Sequence, residues 1–150
     1  MRRTDTLKAH SIETALPNAG AQDGVLEWHR IVAESDWESL SSLLAEDVIF
    51  HNPSSFEPHQ GKGPMQVILP AVFSVLEKFE YHRHFGSKSG YVLEFSAEVG
   101  GEQVTGVDLI EFNDEGKITD FVVMIRPAGV VLTLSGEVGK RIAAAQVSTQ

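Results

Sequence analysis

An α+β domain, with its helices segregated to one face of an antiparallel sheet, is the fold class this sequence predicts. Three observations predict it. Apolar residues keep a helical spacing through segments of the first half, up to Phe79. Runs that alternate apolar and polar residues fill 80–126. Between two pairs of those runs stand Gly100-Gly101 and Asn113-Asp114-Glu115-Gly116, the residue types that hairpin turns require.

Residues 1–22 carry Pro17, Asn18 and Gly20 and keep no helical period, and are read as a flexible N-terminal arm ahead of a single domain, 23–150. Asp23 then caps a helix marked by Val25, Trp28, His29 and Val32. Ser35-x-x-Glu38 reads as a capping box for a second helix, with Trp37, Leu40, Leu43 and Leu44 as its buried stripe. Val48, Ile49 and Phe50 form a short strand that ends at His51-Asn52-Pro53. Residues 53–63 are a loop. Pro64 opens a third helix whose stripe runs through Met65, Ile68, Leu69, Val72, Val75, Leu76 and Phe79, with a kink expected at Pro70. Strands follow at about 80–85, 91–99, 103–112 and 117–126. Val130, Leu134, Val138 and Ile142 recur every four residues, which indicates a terminal helix interrupted or frayed near Gly136 and Gly139.

Composition limits what such a domain does. The chain has 150 residues and no cysteine, which excludes disulfides, zinc–thiolate sites and thiol nucleophiles. A formal charge of −9 argues against nucleic acid and anionic membrane as partners. Arg2-Arg3 is followed by polar residues and no apolar run reaches membrane-spanning length, so the expected compartment is the cytoplasm.

The turns allow the sheet to be laid out in register. A two-residue Gly-Gly loop pairs Val99 with Glu102, and therefore Phe95 with Gly106 and Leu93 with Asp108. A four-residue loop at 113–116 pairs Phe112 with Lys117, and therefore Asp108 with Phe121, Gly106 with Val123 and Val104 with Ile125. Directly opposite residues share a face. One face then presents Leu93, Phe95, Ile110, Phe121, Val123 and Ile125 around a single carboxylate, Asp108. The other carries Val92, Val107, Leu109, Val122 and Met124, an apolar strip that predicts a homodimer through the outer sheet face.

The passages AEDVIFHNP, Gly61-x-Gly63 and VDLIEFNDEGKI, in this order of elements, resemble the nuclear transport factor 2-like superfamily, which includes the SnoaL-like cyclases and the ketosteroid isomerases. The resemblance implies a cone-shaped half-barrel: a curved, mostly antiparallel sheet with three helices from the N-terminal half on its concave face plus a C-terminal helix. It also implies a deep hydrophobic pocket. The isomerases place a tyrosine, a base aspartate and a protonated aspartic acid in that pocket. The matching positions here are Trp28, Asn52 and Asp108, so the first two partners are absent and steroid isomerisation by that route is not expected.

The candidate residues follow from these two readings. Burial among apolar side chains raises the pKa of Asp108, making it an acid or, if a ligand or histidine compensates it, a base; otherwise it is a satisfied structural aspartate. Asn52 either orients a ligand or starts a turn before Pro53. His51 points away from Asn52 if the strand holds its alternation, and becomes a base beside Asp108 if it does not. Gly106 leaves pocket volume or marks a bulge. Trp28, Phe50, Phe56, Leu93, Phe95, Ile110, Phe121, Val123 and Ile125 are the expected pocket lining. His82-x-His84 reads as a solvated strand edge in preference to a metal site, and no metal or cofactor is expected. No serine occupies a strand-to-helix elbow, and no loop carries a phosphate-binding pattern. The function expected is cofactor-independent acid–base chemistry of isomerase, cyclase or dehydratase type on an apolar small molecule. The alternative is a non-catalytic module that binds such a ligand or dimerises.

Overall fold

A computed structural model describes residues 16–148, so the arm reading for residues 1–15 lies outside the described residues. Helix α1 (Ala19–Glu34) starts earlier than the sequence reading because Asn18, not Asp23, is its N-cap: Asn18 Oδ1 accepts from the Ala21 amide at 2.9 Å. Its buried stripe is Ala21, Gly24, Val25, Trp28 and Ile31. Ser35 does not begin a capping box. It closes α1 in the left-handed conformation (φ 52°), its amide donating back to Ile31 and Val32. Asp36 then accepts from the Ser39 hydroxyl at 2.6 Å, and a single 3-10 turn (Trp37–Ser39) leads into the short α2 (Leu40–Leu43).

Strand β1 (Leu44–His51) is followed by the two-residue β2 (His59–Gln60), which pairs antiparallel with it inside the segment read as loop. Helix α3 (Lys62–Val75) contains Pro70 and ends before Phe79, which belongs to the next strand. Strands β3 (Glu77–Gly86), β4 (Gly90–Val99), β5 (Glu102–Phe112) and β6 (Ile118–Arg126) form an antiparallel meander. The sheet order is β2-β1-β6-β5-β4-β3, with β1 parallel to β6. The result is a curved, unclosed half-barrel with helices on its concave side.

The β4–β5 register is the predicted one throughout, from Val99 opposite Glu102 to Leu93 opposite Asp108. The β5–β6 register differs by two residues: Asp108 lies opposite Val123, Gly106 opposite Ile125 and Ile110 opposite Phe121. Two local events cause this. The Asn113 side chain accepts the amides of Glu115 and Lys117, which draws Lys117 into the loop, and an irregularity at Thr119 adds one more residue. Each event alone reverses the faces of β6, and together they restore them. Asp108 therefore still faces the concave side, flanked by Leu93 and Val123 rather than by Leu93 and Phe121.

The terminal helix α4 (Ala128–Ser148) runs without interruption through Gly136 and Gly139. Burial of Val130, Leu134 and Val138 against Val75, Leu76, Ala97 and Val104 outweighs the ~1 kcal/mol cost of each glycine in a helix. On the convex side Val92, Val107, Leu109 and Val122 are half-exposed and Met124 is 56% exposed. Among the described residues no helix is long and apolar enough to cross a membrane.

Candidate functional site

Asp108 sits mid-strand on β5, and the residue is 4% exposed. One of its oxygens has a partner that sequence reasoning missed. Tyr81 on β3 donates its hydroxyl proton to Asp108 Oδ2 at 2.6 Å, and Trp28 Nε1–H donates to the same phenol oxygen at 2.9 Å. Three residues distant in sequence thus form one donor chain, Trp28 to Tyr81 to Asp108. Tyr81 is held in line by edge-on rings from Phe79, Phe95 and His29.

The other carboxyl oxygen, Oδ1, receives no hydrogen bond from any described residue, yet it is not an occluded, unsatisfied atom. Its remaining exposure opens into a cavity of about 250 Å³ that Asp108 lines. The walls are apolar. Phe50, Phe73, Phe79, Phe95 and Phe121 supply aromatic surface, and Leu134, Val138 and Ile142 of α4 close one side. Besides Asp108, the polar lining comes from Asn52, Ser54 and Ser135.

This setting controls the proton. Burial pushes the Asp108 carboxyl up to about 7, the hydrogen bond from Tyr81 opposing part of that rise. Burial raises the Tyr81 phenol well above its usual value, as do the charge of Asp108 and the hydrogen bond to it; only the donation from Trp28 acts the other way. Tyr81 therefore stays a donor, while Asp108 exchanges a proton near neutrality through the oxygen that faces the cavity.

The remaining candidates divide sharply. Phe50, Phe95, Phe121, Val123 and Ile125 line the cavity. Trp28, Leu93 and Ile110 are packed in the core beside it and do not line it. Phe56 is fully exposed on the 52–58 loop, because that loop turns outward before β2. Asn52 lines the cavity and also starts a turn: Oδ1 accepts the Ser54 amide and hydroxyl at 3.0 and 3.1 Å, and Nδ2 lies 3.1 Å from His59 Nε2. His51 keeps the strand alternation and faces outward to Asp120, 3.0 Å away, so it is not a base beside Asp108. The space beside Gly106 is taken by the Phe95 ring, which any Cβ there meets at 2.7 Å; the glycine admits that ring rather than a ligand. A bulge between Tyr81 and His84 sends His82 to Ser96 on the outer face and His84 to the inner one. Among the described residues no three His, Asp or Glu side chains are grouped to hold a metal ion.

The lining that was missed comes from α3 and α4. Ile68, Leu69, Val72 and Leu76 were legible as an apolar stripe, and so were Leu134, Val138 and Ile142, but a stripe does not state whether it meets protein or empty space. Tyr81 was hidden by the β3 bulge, which removes simple alternation as a guide to which face it takes.

With this geometry in view, the chain compares with known proteins as follows. The SnoaL-like domain model matches residues 25–121. A steroid delta-isomerase from Pseudomonas aeruginosa is 38% identical, with a TM-score of 0.84 over 89% of this chain and 99% of that one. A bacterial protein with a cystatin-like fold from Silicibacter pomeroyi is 34% identical, with a TM-score of 0.76 over 82% and 87% of the two chains. The epoxide hydrolase/cyclase-like enzyme SalBIII, which acts in pyran ring formation in the polyether salinomycin, is 17% identical, with a TM-score of 0.60 over 71% and 90%, and shares the fold. A search among curated proteins returned no match. The chain belongs to the SnoaL-like domain family, within the nuclear transport factor 2-like fold.

Proposed function

We propose that this protein is a small enzyme that moves a proton on an apolar, oxygen-bearing small molecule held in the Asp108 cavity. The isomerase and cyclase names among its relatives support the reaction class. The observation that carries the reading is the division of labour within one carboxyl: Oδ2 is held by Tyr81, and Oδ1 faces the cavity with no protein partner. As the acid, Oδ1–H protonates or hydrogen-bonds a ligand carbonyl or hydroxyl. As the base, Oδ1 removes a proton next to such a carbonyl. A pKa near the working pH serves both directions. No cofactor is needed for either step. Asn52, Ser54 and Ser135 orient the polar parts of the ligand, and the phenylalanine walls exclude water.

The test works whatever the natural product is. Apolar cyclic ketones and β,γ-enones, the relative's steroid class among them, are incubated with the protein in heavy water, and deuterium uptake beside the carbonyl is read by mass spectrometry. Uptake that depends on Asp108 supports the proposal. No catalysed uptake, together with ketone binding that is the same in wild type and Asp108→Asn, leaves a non-catalytic binding module. That second reading draws on Trp28 and Asn52, which stand where the ketosteroid isomerases carry a tyrosine and a base aspartate.

A further inference from the structure

We propose that the groove between α1 and the neighbouring ends of β3 and β4 is a second ligand site, and that it takes a small amphipathic carboxylate whose head group sits between His29 and His84. This inference does not rest on the catalytic reading. The groove encloses about 630 Å³, within the range of about 300–1,000 Å³ common for small-molecule sites. Among the described residues it shares no lining residue with the Asp108 cavity. Tyr81 separates the two: its hydroxyl reaches Asp108, while its ring meets the His29 imidazole edge-on with centroids 5.1 Å apart.

Strand alternation alone would not bring these imidazoles together. The bulge between Tyr81 and His84 places His84 opposite Leu93, on the side of the sheet where α1 presents His29. No described residue forms a hydrogen bond or an ion pair with either imidazole; their only ring partners are Tyr81 and Tyr91. Among the described residues no Asp or Glu lines this groove. Its polar lining is Gln22, His29, His84 and Tyr91, and Leu16 and Leu26 give it an exposed apolar rim.

The occupant's chemistry follows from that inventory. A cationic ligand meets no counter-charge among the described lining residues, and an uncharged one can hydrogen-bond a neutral imidazole but gives a protonated one no counter-charge. A carboxylate supplies the missing acceptor, and an apolar body covers the leucines. Burial and the neighbouring His84 hold the His29 pKa below its ordinary value. A carboxylate between the rings reverses that repulsion and draws a proton into the groove. Among the described residues the other titratable groups around the pair are Tyr91 from β4 and Tyr81 from β3, with Asp108 on β5 behind Tyr81; α1 adds no charged side chain to the lining. Binding then tightens as pH falls, by up to about tenfold per pH unit for each proton taken up.

Calorimetric titration of the full-length protein with 2-naphthoate near pH 6 and near pH 8, with 2-naphthol as the uncharged counterpart, tests this. The expected result is naphthoate binding at least about tenfold tighter at the lower pH, with no such step for naphthol. His84→Gln, which changes an exposed side chain, and His29→Gln each remove the step, and Asp108→Asn keeps it. A step that survives His84→Gln overturns the proposal, as does one lost in Asp108→Asn, which puts the carboxylate in the other cavity. Failure of millimolar naphthoate to bind near pH 6 overturns it as well.

Discussion

The two cavities on either side of Tyr81 treat charge in opposite ways. In the phenylalanine-lined cavity Asp108 is the only ionisable lining group among the described residues, and burial favours its neutral form. In the groove beyond Tyr81 no carboxylate lies among the described lining residues, and two imidazoles have no hydrogen-bond or ion-pair partner among the described residues. One tyrosine belongs to both settings, with its hydroxyl in the first and its ring edge in the second. The difference shows that a pKa near neutrality arises here from depth of burial, tempered by one donor, and not from a cationic partner.

The largest expected effect that would break this contrast is on turnover. Asp108→Asn keeps an acceptor for Tyr81 but removes the exchangeable proton, so deuterium uptake is expected to fall by about 10²–10⁴-fold with ketone affinity little changed. Equal uptake by the two proteins removes Asp108 from the chemistry.

Next comes stability, where the sign is unusual for a carboxylate. The folded value of about 7 lies above the unfolded one, so between about pH 4 and 7 the folded chain keeps a proton that the unfolded chain has released. Stability therefore declines as pH rises through that window and stays reduced above it. Asp108→Asn is expected to be more stable than the parent near pH 8 by about 2–4 kcal/mol, and to lose that advantage towards pH 4, as read by urea denaturation. An Asp108→Asn protein less stable than its parent near pH 8 means that the carboxylate is satisfied in the fold.

Tyr81→Phe sharpens the contrast, because it deletes the one donor to Asp108 and leaves Trp28 Nε1–H without its acceptor. The acidic limb of the pH–exchange profile is expected to move up by about one to two units, since a hydrogen bond to a charged group contributes about 1.5–3 kcal/mol. An unmoved limb shows that Tyr81 only packs.

Smaller effects probe the walls. Gly139 on α4 lines the cavity, and a Cβ there meets nothing within 4 Å, so Gly139→Leu fits the helix and intrudes on the ligand. Its expected result is about tenfold weaker ketone binding with unchanged folding, checked by calorimetry and denaturation. On the outer sheet face, a second copy covering Val107, Leu109, Val122 and Met124 is our proposal for the oligomer. Val107→Lys is expected to convert a dimer to a monomer in sedimentation while leaving both cavities' ligand affinities unchanged; a parent protein that sediments as a monomer removes the dimer.

Much of this was legible in the residues, and the exceptions share a cause. Gly100-Gly101 admits a two-residue turn, so the β4–β5 register could be read in full. The β5–β6 register could not, because the Asn113 side chain drew Lys117 into the loop and Thr119 added an irregularity, neither of which apolar periodicity reports. Asp108 was visible because a lone carboxylate breaks an otherwise apolar strand face. Tyr81 and the His29–His84 pair were not, since all depend on the β3 bulge, where alternation stops assigning faces. Phe56 misled because an aromatic residue in a loop carries no periodicity that says which way it turns.

The most direct test of the central claim is the titration of the Asp108 carboxyl itself, followed by carbon-13 NMR on the labelled protein with and without a saturating apolar cyclic ketone. A midpoint near 7 that moves when the ketone fills the cavity is the predicted result. A midpoint near 4, or one indifferent to the ketone, contradicts it, because the carboxyl would then be neither shielded from water nor open to a ligand.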